Sequence, residues 1–182
     1  MTQLRSDAAL RRDHILDAAD AVFSESGITA PLDLVVTRAG VGRATLYRNF
    51  PDRAALVEAL FERALTGLEA AAPGQDLFAL VEQVGLRIVA APAIADYWRA
   101  LEPGDLGAKA ARERLARLFR APLAAAVARK ACRRDLRPGD LVLVCGMLGA
   151  ALRGGTPANR RALVRRAIAL LQDGVAAGPR GR

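Results

Sequence analysis

Leu32 to Leu56 reads LDLVVTRAGVGRATLYRNFPDRAAL, and within it two short helical patterns flank a glycine turn. Pro31 suits the first position of a helix, where its missing N–H costs nothing and its fixed φ fits the turn. Leu32, Val35, Val36 and Ala39 then recur at helical spacing on one face. Gly40 stops that helix, because the left-handed backbone expected there is cheap only for glycine. A second helix is expected from Arg43 to Phe50, with Leu46 and Phe50 four apart as its buried face. Opposite them stand Arg43, Thr45, Tyr47, Arg48 and Asn49. Pro51 ends it, since the residue before a proline is pushed out of the helical region. Two short helices across a glycine turn, the second facing outward and rich in hydrogen-bonding side chains, fit a helix-turn-helix. In that motif the second helix enters the major groove of DNA.

Working outward, a preceding helix is expected from about Asp7 to Ser26, with Ile15, Ala18, Ala19, Val22 and Phe23 inward and Gly27 just past its end. Residues 1–6 are expected to be loose. A fourth helix begins at Pro51/Asp52 and carries Leu56, Leu60, Leu65 and Leu68 to about Ala72; Asp52 suits both its cap and its dipole. Pro73-Gly74 is the clear break in this half of the chain. The expected organisation is therefore a DNA-reading domain over 1–50, a connecting helix over 51–74 and a second domain over 75–178. In that second domain helices are expected at about Asp76–Ala90, Pro92–Leu101, Ala108–Cys132, Asp140–Arg153 and Pro157–Val175. Pro122 should kink or restart the third of these. Turns are expected at Pro103-Gly104 and Gly154-Gly155, and the tail GPRGR is expected to be disordered. The run Leu141–Val144 fits a buried strand by periodicity alone, but the length of the apolar segment favours a helix. A helix apolar all round should be covered on most sides, by its own domain or by a partner subunit. The chain is read as all-α.

Composition agrees with a globular protein: of 182 residues 52% are apolar, 25% charged and 4% aromatic. The net charge of +8 is unevenly placed. Seven arginines face seven acids up to Arg53, three face seven over 54–104, and seventeen Lys and Arg face five acids over 105–182. The basic excess lies away from the DNA-reading helix, so placement, not total charge, carries the argument: Arg43, Arg48 and Arg53 cluster on and just after one helix. Cys132 and Cys145 lack metal-ligand spacing, and with no apolar export segment the chain is expected to be cytoplasmic with reduced thiols. The uncharged run Leu141–Leu152 is shorter than the roughly 18–20 residues that span a bilayer, so no membrane partner is expected. No cofactor or metal is expected either. His14 stands alone in a charged stretch, and no glycine-rich phosphate loop follows a strand. An enzyme is not the reading.

The segment ILDAADAVFSESGITAPLDLVVTRAGVGRATLYRNFPDRAALVEAL resembles the N-terminal domain of the TetR (tetracycline-repressor-like) family of bacterial transcriptional regulators. The shared features are the ILDAA opening, Phe23 and Gly27, AGV at 39–41, TLYRNF at 45–50 and the Arg53-Ala-x-Leu56 continuation. The resemblance implies that Arg43 and Ala44 touch base edges, with Arg48 a further candidate. It also implies that Thr45, Tyr47, Asn49 and Arg53 hold phosphates. Tyr47 can equally pack between helices while its hydroxyl reaches out. Asn49 stands where histidine is commoner, Leu34 and Val36 make the second helix more apolar than usual, and Asp33 stands where some members place a base-contacting arginine. The chemistry agrees: arginine suits the guanine O6/N7 edge, and Thr, Tyr and Asn suit phosphate oxygens.

The resemblance further implies an effector pocket among the middle helices of the second domain. Asp96-Tyr97-Trp98-Arg99 either lines it or is a helix turn with one buried face. Phe61, Leu65, Val84, Ile88, Trp98, Phe119 and Met147 are the candidate lining residues. The last two helices hold the family position of a dimer interface, where Gly146, Gly149 and Ala150 would allow close approach; the same small residues would also admit an intramolecular neighbour. The expected function is a ligand-responsive transcriptional regulator, most simply a homodimeric repressor on a near-palindromic double-stranded DNA operator, released by a small, mostly apolar effector. The alternative is an all-α small-molecule-binding protein without DNA-binding activity.

Overall fold

The computed structural model describes the backbone over 2–91, 94–97, 106–151 and 156–175, with side chains over 7–91, 94–97, 107, 109–149, 156 and 158–172. Trp98, the Pro103-Gly104 and Gly154-Gly155 turns, the side chain of Ala150 and the GPRGR tail lie outside the described residues. Among the described residues the chain is all helix and turn, with no strand. The helices are α1 (Thr2–Ser26), α2 (Leu32–Ala39), α3 (Arg43–Asn49), α4 (Arg53–Ala71), α5 (Leu77–Ala90), α6 (Leu106–Ala128), α7 (Pro138–Ala151) and α8 (Pro157–Val175). A helical turn stands at 94–97. The helix α1 starts earlier than expected. Its first turns hold Leu4, Ala8, Ala9 and Leu10, good helix formers with no Gly or Pro to stop them.

The chain forms two compact units. One holds the described residues to Ala64 together with 91 and 94–97; the other holds Leu65–Ala90 and the described residues from Leu106 onward. In the first unit, α2 and α3 have eight and seven residues, too few to be stable alone in water. Tertiary burial holds them. Val35 of α2 and Leu46 and Phe50 at α3 join Ile15, Leu16, Ala19, Val22 and Phe23 of α1 and Leu56, Val57 and Leu60 of α4 in one core. Each fully buried aliphatic or aromatic side chain of this kind contributes about 1.5–3 kcal/mol relative to exposure. The expected inner face of α2 is observed, with Leu32, Val36 and Ala39 partly buried against the same core. Asp52 caps α4, its Oδ1 accepting the Ala55 N–H at 2.8 Å.

In the second unit α5 is the helix around which the others pack. Its Leu77, Leu80, Val81, Val84, Gly85 and Val89 are buried, with Phe119 of α6, Leu148 of α7 and Val164 of α8 also buried in this unit. A Cβ on Gly85 would lie 2.9 Å from Val164 Cγ1, so the absence of a side chain there lets α5 and α8 touch. The helix α6 neither ends nor restarts at Pro122. Proline removes one backbone bond from the helix, but Phe119, Leu123 and Ala126 on either side of it are buried and keep both halves docked. It ends at Ala128 instead of Cys132. Lys130 adopts a left-handed φ of 58°, Lys130 N–H reaches Val127 O at 3.0 Å and Ala131 N–H reaches Ala126 O at 2.9 Å. This is a Schellman cap built on a lysine. The run Leu141–Val144 is helical, inside α7.

Candidate nucleic-acid interface

The reader is assembled from the turn outward. Gly40 has φ +63°, and the N–H groups of Gly40 and Val41 cap α2 on Thr37 O and Val36 O, each at 3.2 Å. Gly42 is extended and opens α3, its carbonyl accepting from Thr45 N–H at 2.9 Å and Leu46 N–H at 3.1 Å. Leu46 and Phe50, 1% and 2% exposed, pin the inner face of α3 into the core. That anchoring leaves Arg43, Ala44, Tyr47 and Arg48 exposed, with Thr45 and Asn49 half-buried beside them. A rigid two-turn platform thus presents two guanidinium groups, a phenol, a hydroxyl and a carboxamide on one side.

The side-chain bonds on this platform are specific. Arg43 Nη2 forms an ion pair with Asp33 Oδ2 of α2. Arg48 lies along its own helix, Nε donating to Ala44 O at 3.2 Å and Nη2 to Thr45 Oγ1 at 3.4 Å. Asn49 Nδ2 donates to Thr45 O at 2.8 Å. Arg38 of α2 pairs with Glu25 of α1 at 2.7 Å, and that guanidinium hydrogen bond holds the Glu25 carboxyl below its ordinary range. Arg53 is engaged with its own domain: Nη1 donates to Ile28 O at 2.5 Å, and the guanidinium carbon stands 5.6 Å from the Phe23 ring centroid.

One side chain at this surface, Arg12, and one pairing, Asp33 with Arg43, were not foreseen from the sequence. Arg12 of α1 covers the Phe50 ring, 4.7 Å from its centroid; its spacing from Ile15, Leu16 and Ala19 was the available signal, since 12, 15, 16 and 19 share one helical face. Asp33 was read by its place in α2, but only the folded turn brings it to Arg43.

Residues 15–60 match the family model described as "Bacterial regulatory proteins, tetR family". The TetR transcriptional regulator SCO0520 from Streptomyces coelicolor is 31% identical, with a TM-score of 0.66, covering 91% of this chain and 98% of that one. The chain belongs to the TetR family. A TetR regulatory protein from Mycobacterium vanbaalenii is similar at 27% identity and a TM-score of 0.66, covering 95% of this chain and 99% of that one. CprB, a TetR-family protein from S. coelicolor A3(2), shares the fold at 21% identity and a TM-score of 0.62, covering 95% and 92% of the two chains. No curated protein matches the chain significantly. As a TetR-family member the chain is a DNA-binding transcriptional regulator and not an enzyme. Among the described residues no helix is long and apolar enough to cross a membrane.

Elsewhere in this TetR-family chain the described candidate pocket residues stand on four helices, α4 to α7. Phe61 is buried and stacks obliquely on Tyr97, ring centroids 5.5 Å apart. Leu65, Val84 and Phe119 are buried core. Ile88 is half-buried and lies 3.3 Å from where a Cβ on Gly149 would stand, whereas a Cβ on Gly146 would meet open space. Met147 is 57% exposed. None of these lines the open cleft of about 1040 Å³ in the second unit, whose walls include Glu69, Gln75, Arg114, Arg117, Pro122 and Arg129. Glu69 there takes both Arg114 Nε and Nη2, at 2.9 and 2.8 Å. Neither does any line a smaller cleft of about 340 Å³ beside Lys109, Glu113 and Val142. Cys132 and Cys145 are free and buried. Desolvation raises both thiol pKa values, that of Cys145 to about 12, so both stay protonated at neutral pH. His14 is exposed, and among the described residues no cluster of three metal-ligating side chains occurs.

Proposed function

We propose that the chain is a homodimeric repressor whose α3 reads a near-palindromic operator and whose second domain binds a small effector that releases it. The observation that carries the reading is the division of α3 into a core-locked face, Leu46 and Phe50, and an exposed face bearing Arg43, Tyr47 and Arg48. Arg43, Ala44 and Arg48 take the base edges, and Thr45, Tyr47 and Asn49 take phosphates. Arg53, through its bond to Ile28 O, steadies the loop before α2 as well as adding charge near the backbone. The working division is a DNA-reading part over 1–50, a connecting helix over 51–74 and an effector and dimer part over 75–178, in a cytoplasmic protein.

Dimerisation is supported by apolar side chains left uncovered on α7 and α8. Leu143 and Met147, four apart, are 65% and 57% exposed, and Leu163 and Leu170, seven apart, are 52% and 54% exposed. Each pair lies on one helical face, and exposed apolar stripes of this kind mark interaction surfaces. A dimer also meets the requirement that two recognition helices stand about 34–36 Å apart to read successive major grooves. The effector shifts the population toward a dimer that no longer fits that spacing, and a tenfold loss of operator affinity needs about 1.4 kcal/mol of coupling. The effector is mostly apolar; the open cleft of the second unit, where an alanine, leucine and proline wall lies beside Glu69, Asp76 and three arginines, is one place where an amphipathic compound could sit.

Selection of bound sequences from a random duplex library tests the reading. A near-palindromic consensus is expected, with Arg43→Ala relaxing the preference at one symmetric position at a cost of about 1–3 kcal/mol per half-site. Absence of any enriched sequence, or Arg43→Ala with unchanged preference, overturns it. Titrating apolar and amphipathic compounds while following Trp98 fluorescence and operator release then tests the effector.

A further inference from the structure

Asp33 is the sole carboxylate between Leu32 and Phe50. It stands on the outward side of α2, 58% exposed, on the surface that carries the recognition side chains. An acid there repels the phosphate backbone that supplies most of the affinity in such complexes. Its partner is the first residue of α3: Arg43 Nη2 donates to Asp33 Oδ2 across the glycine turn, with the Arg43 side chain 70% exposed. Two such exposed groups add little to stability. What the pair supplies is direction. A long arginine side chain loses much rotamer freedom when it docks on a base, and a partner that holds it beforehand removes part of that cost. Arg48, on the same helix, makes no such pair with an acid of α2 and lies back on Ala44 O and Thr45 Oγ1.

We propose that Asp33 is a positioning residue for base recognition: it holds Arg43 by one guanidinium N–H and presents the remaining donors to a guanine edge in the major groove. The inference rests on the reading of Arg43 as a base-reading side chain. Guanidinium carries five N–H donors in a fixed planar fork. With one taken by the carboxylate, a forked pair still remains for two acceptors side by side, which guanine offers as O6 and N7 and adenine does not. The carboxylate also lowers attraction to phosphates on every sequence alike; that uniform effect leaves the ratio between sequences unchanged, so the gain in discrimination comes from the presented fork.

The test uses the full chain and a random-core duplex library, with wild type, Asp33→Asn, Asp33→Ala, Arg43→Ala and the Asp33→Ala/Arg43→Ala double variant. Affinities are then measured on the selected duplex, on the same duplex with the assigned guanine pair replaced, and on a scrambled duplex. Arg43→Ala is expected to reduce the guanine preference roughly 5- to 100-fold. Both Asp33 variants are expected to reduce it at the same base pair by a comparable factor, while affinity for scrambled duplex stays level or rises. The double variant is expected to lose no more preference than Arg43→Ala. The proposal is overturned if the Asp33 variants keep the full guanine preference, whether or not they bind more tightly; the acid then only competes with DNA for Arg43. It is equally overturned if they weaken all three duplexes alike with a lowered melting temperature, which marks a purely structural role. Arg43→Ala with unchanged preference overturns the base-reading assignment as well, a result distinct from failure at Asp33 alone, where Arg43→Ala still relaxes the site.

Discussion

Tyr47 and Arg53 show how two residues given the same expected task differ once their surroundings are known. Tyr47 is 50% exposed on the outer side of α3, and its hydroxyl suits a phosphate oxygen. Phosphate contacts position the protein without reading sequence. Tyr47→Phe is therefore expected to weaken operator and scrambled duplex by the same factor, about 0.5–1.5 kcal/mol, with no change in melting temperature; parallel binding isotherms check it. Arg53 is half-buried, bonded to Ile28 O and stacked near Phe23. Arg53→Ala leaves that carbonyl short of its donor and uncovers an aromatic core residue, so a lowered melting temperature is expected along with weaker binding. A variant that loses DNA affinity at unchanged stability would contradict the bond to Ile28. The family resemblance implied a phosphate contact for Arg53; the carbonyl 25 positions earlier was not legible, because nothing local brings it near.

At the scale of elements, helix ends obeyed the punctuation where it was conventional. Gly40, Asp52 and Pro157 mark ends or starts as their chemistry requires. The end of α6 did not, because the left-handed position is held by Lys130 at φ 58°. A side chain there costs roughly 1–2 kcal/mol, which glycine would not incur, against the greater entropy glycine loses on folding. Lys130→Gly is expected to stabilise the protein by about 0.5–1 kcal/mol, seen as a higher midpoint in urea; a drop in the midpoint would show that the lysine side chain has another role.

The contact between the end of α4 and α6 gives a prediction in pH. Hydrogen bonding to Arg114 holds the Glu69 carboxyl below its ordinary value of 4.5, against a smaller opposing effect of desolvation. A depressed folded-state pKa means that the unfolded chain binds the proton first. The stabilisation is therefore complete above the ordinary value and is lost as pH falls through the depressed one. Glu69→Gln should flatten the acid limb of the stability profile between those two points, while leaving its slope near neutrality unchanged. Urea midpoints taken across that range decide it.

For the whole molecule, the proposed dimer rests on the faces of α7 and α8 that are uncovered among the described residues. Gly149 packs toward Ile88 of its own chain, so on α7 the exposed apolar side chains that would meet a partner are Leu143 and Met147, beside Leu163 and Leu170 on α8. Met147→Glu adds a charge to an already exposed position. It is expected to leave the monomer folded, to shift light scattering from dimer to monomer at micromolar concentration, and to abolish operator binding in the same titration. A dimer that survives this substitution together with Leu143→Glu would place the interface elsewhere.

The alternation of core and outward positions, the Gly40 turn and the Pro51 stop all lie within 25 residues of sequence, Leu32 to Leu56, and the forces they express are local. Helix spacing, a left-handed glycine and the backbone restriction before proline act between near neighbours, so they are written in order along the chain. The helix-turn-helix and the outward face of α3 were legible for that reason. The second domain was legible only as a set of helices, because apolar side chains at helical spacing say that a face is buried but not against what. Only the tertiary structure separated Phe119 and Val84 as buried core from Met147 as an exposed side chain. It also assigned Gly85 to the approach of α8, carried α6 through Pro122 and paired Asp33 with Arg43. Each of these depends on which surfaces meet when distant segments pack. That is a matter of shape and volume, and the periodicity of one segment does not contain it.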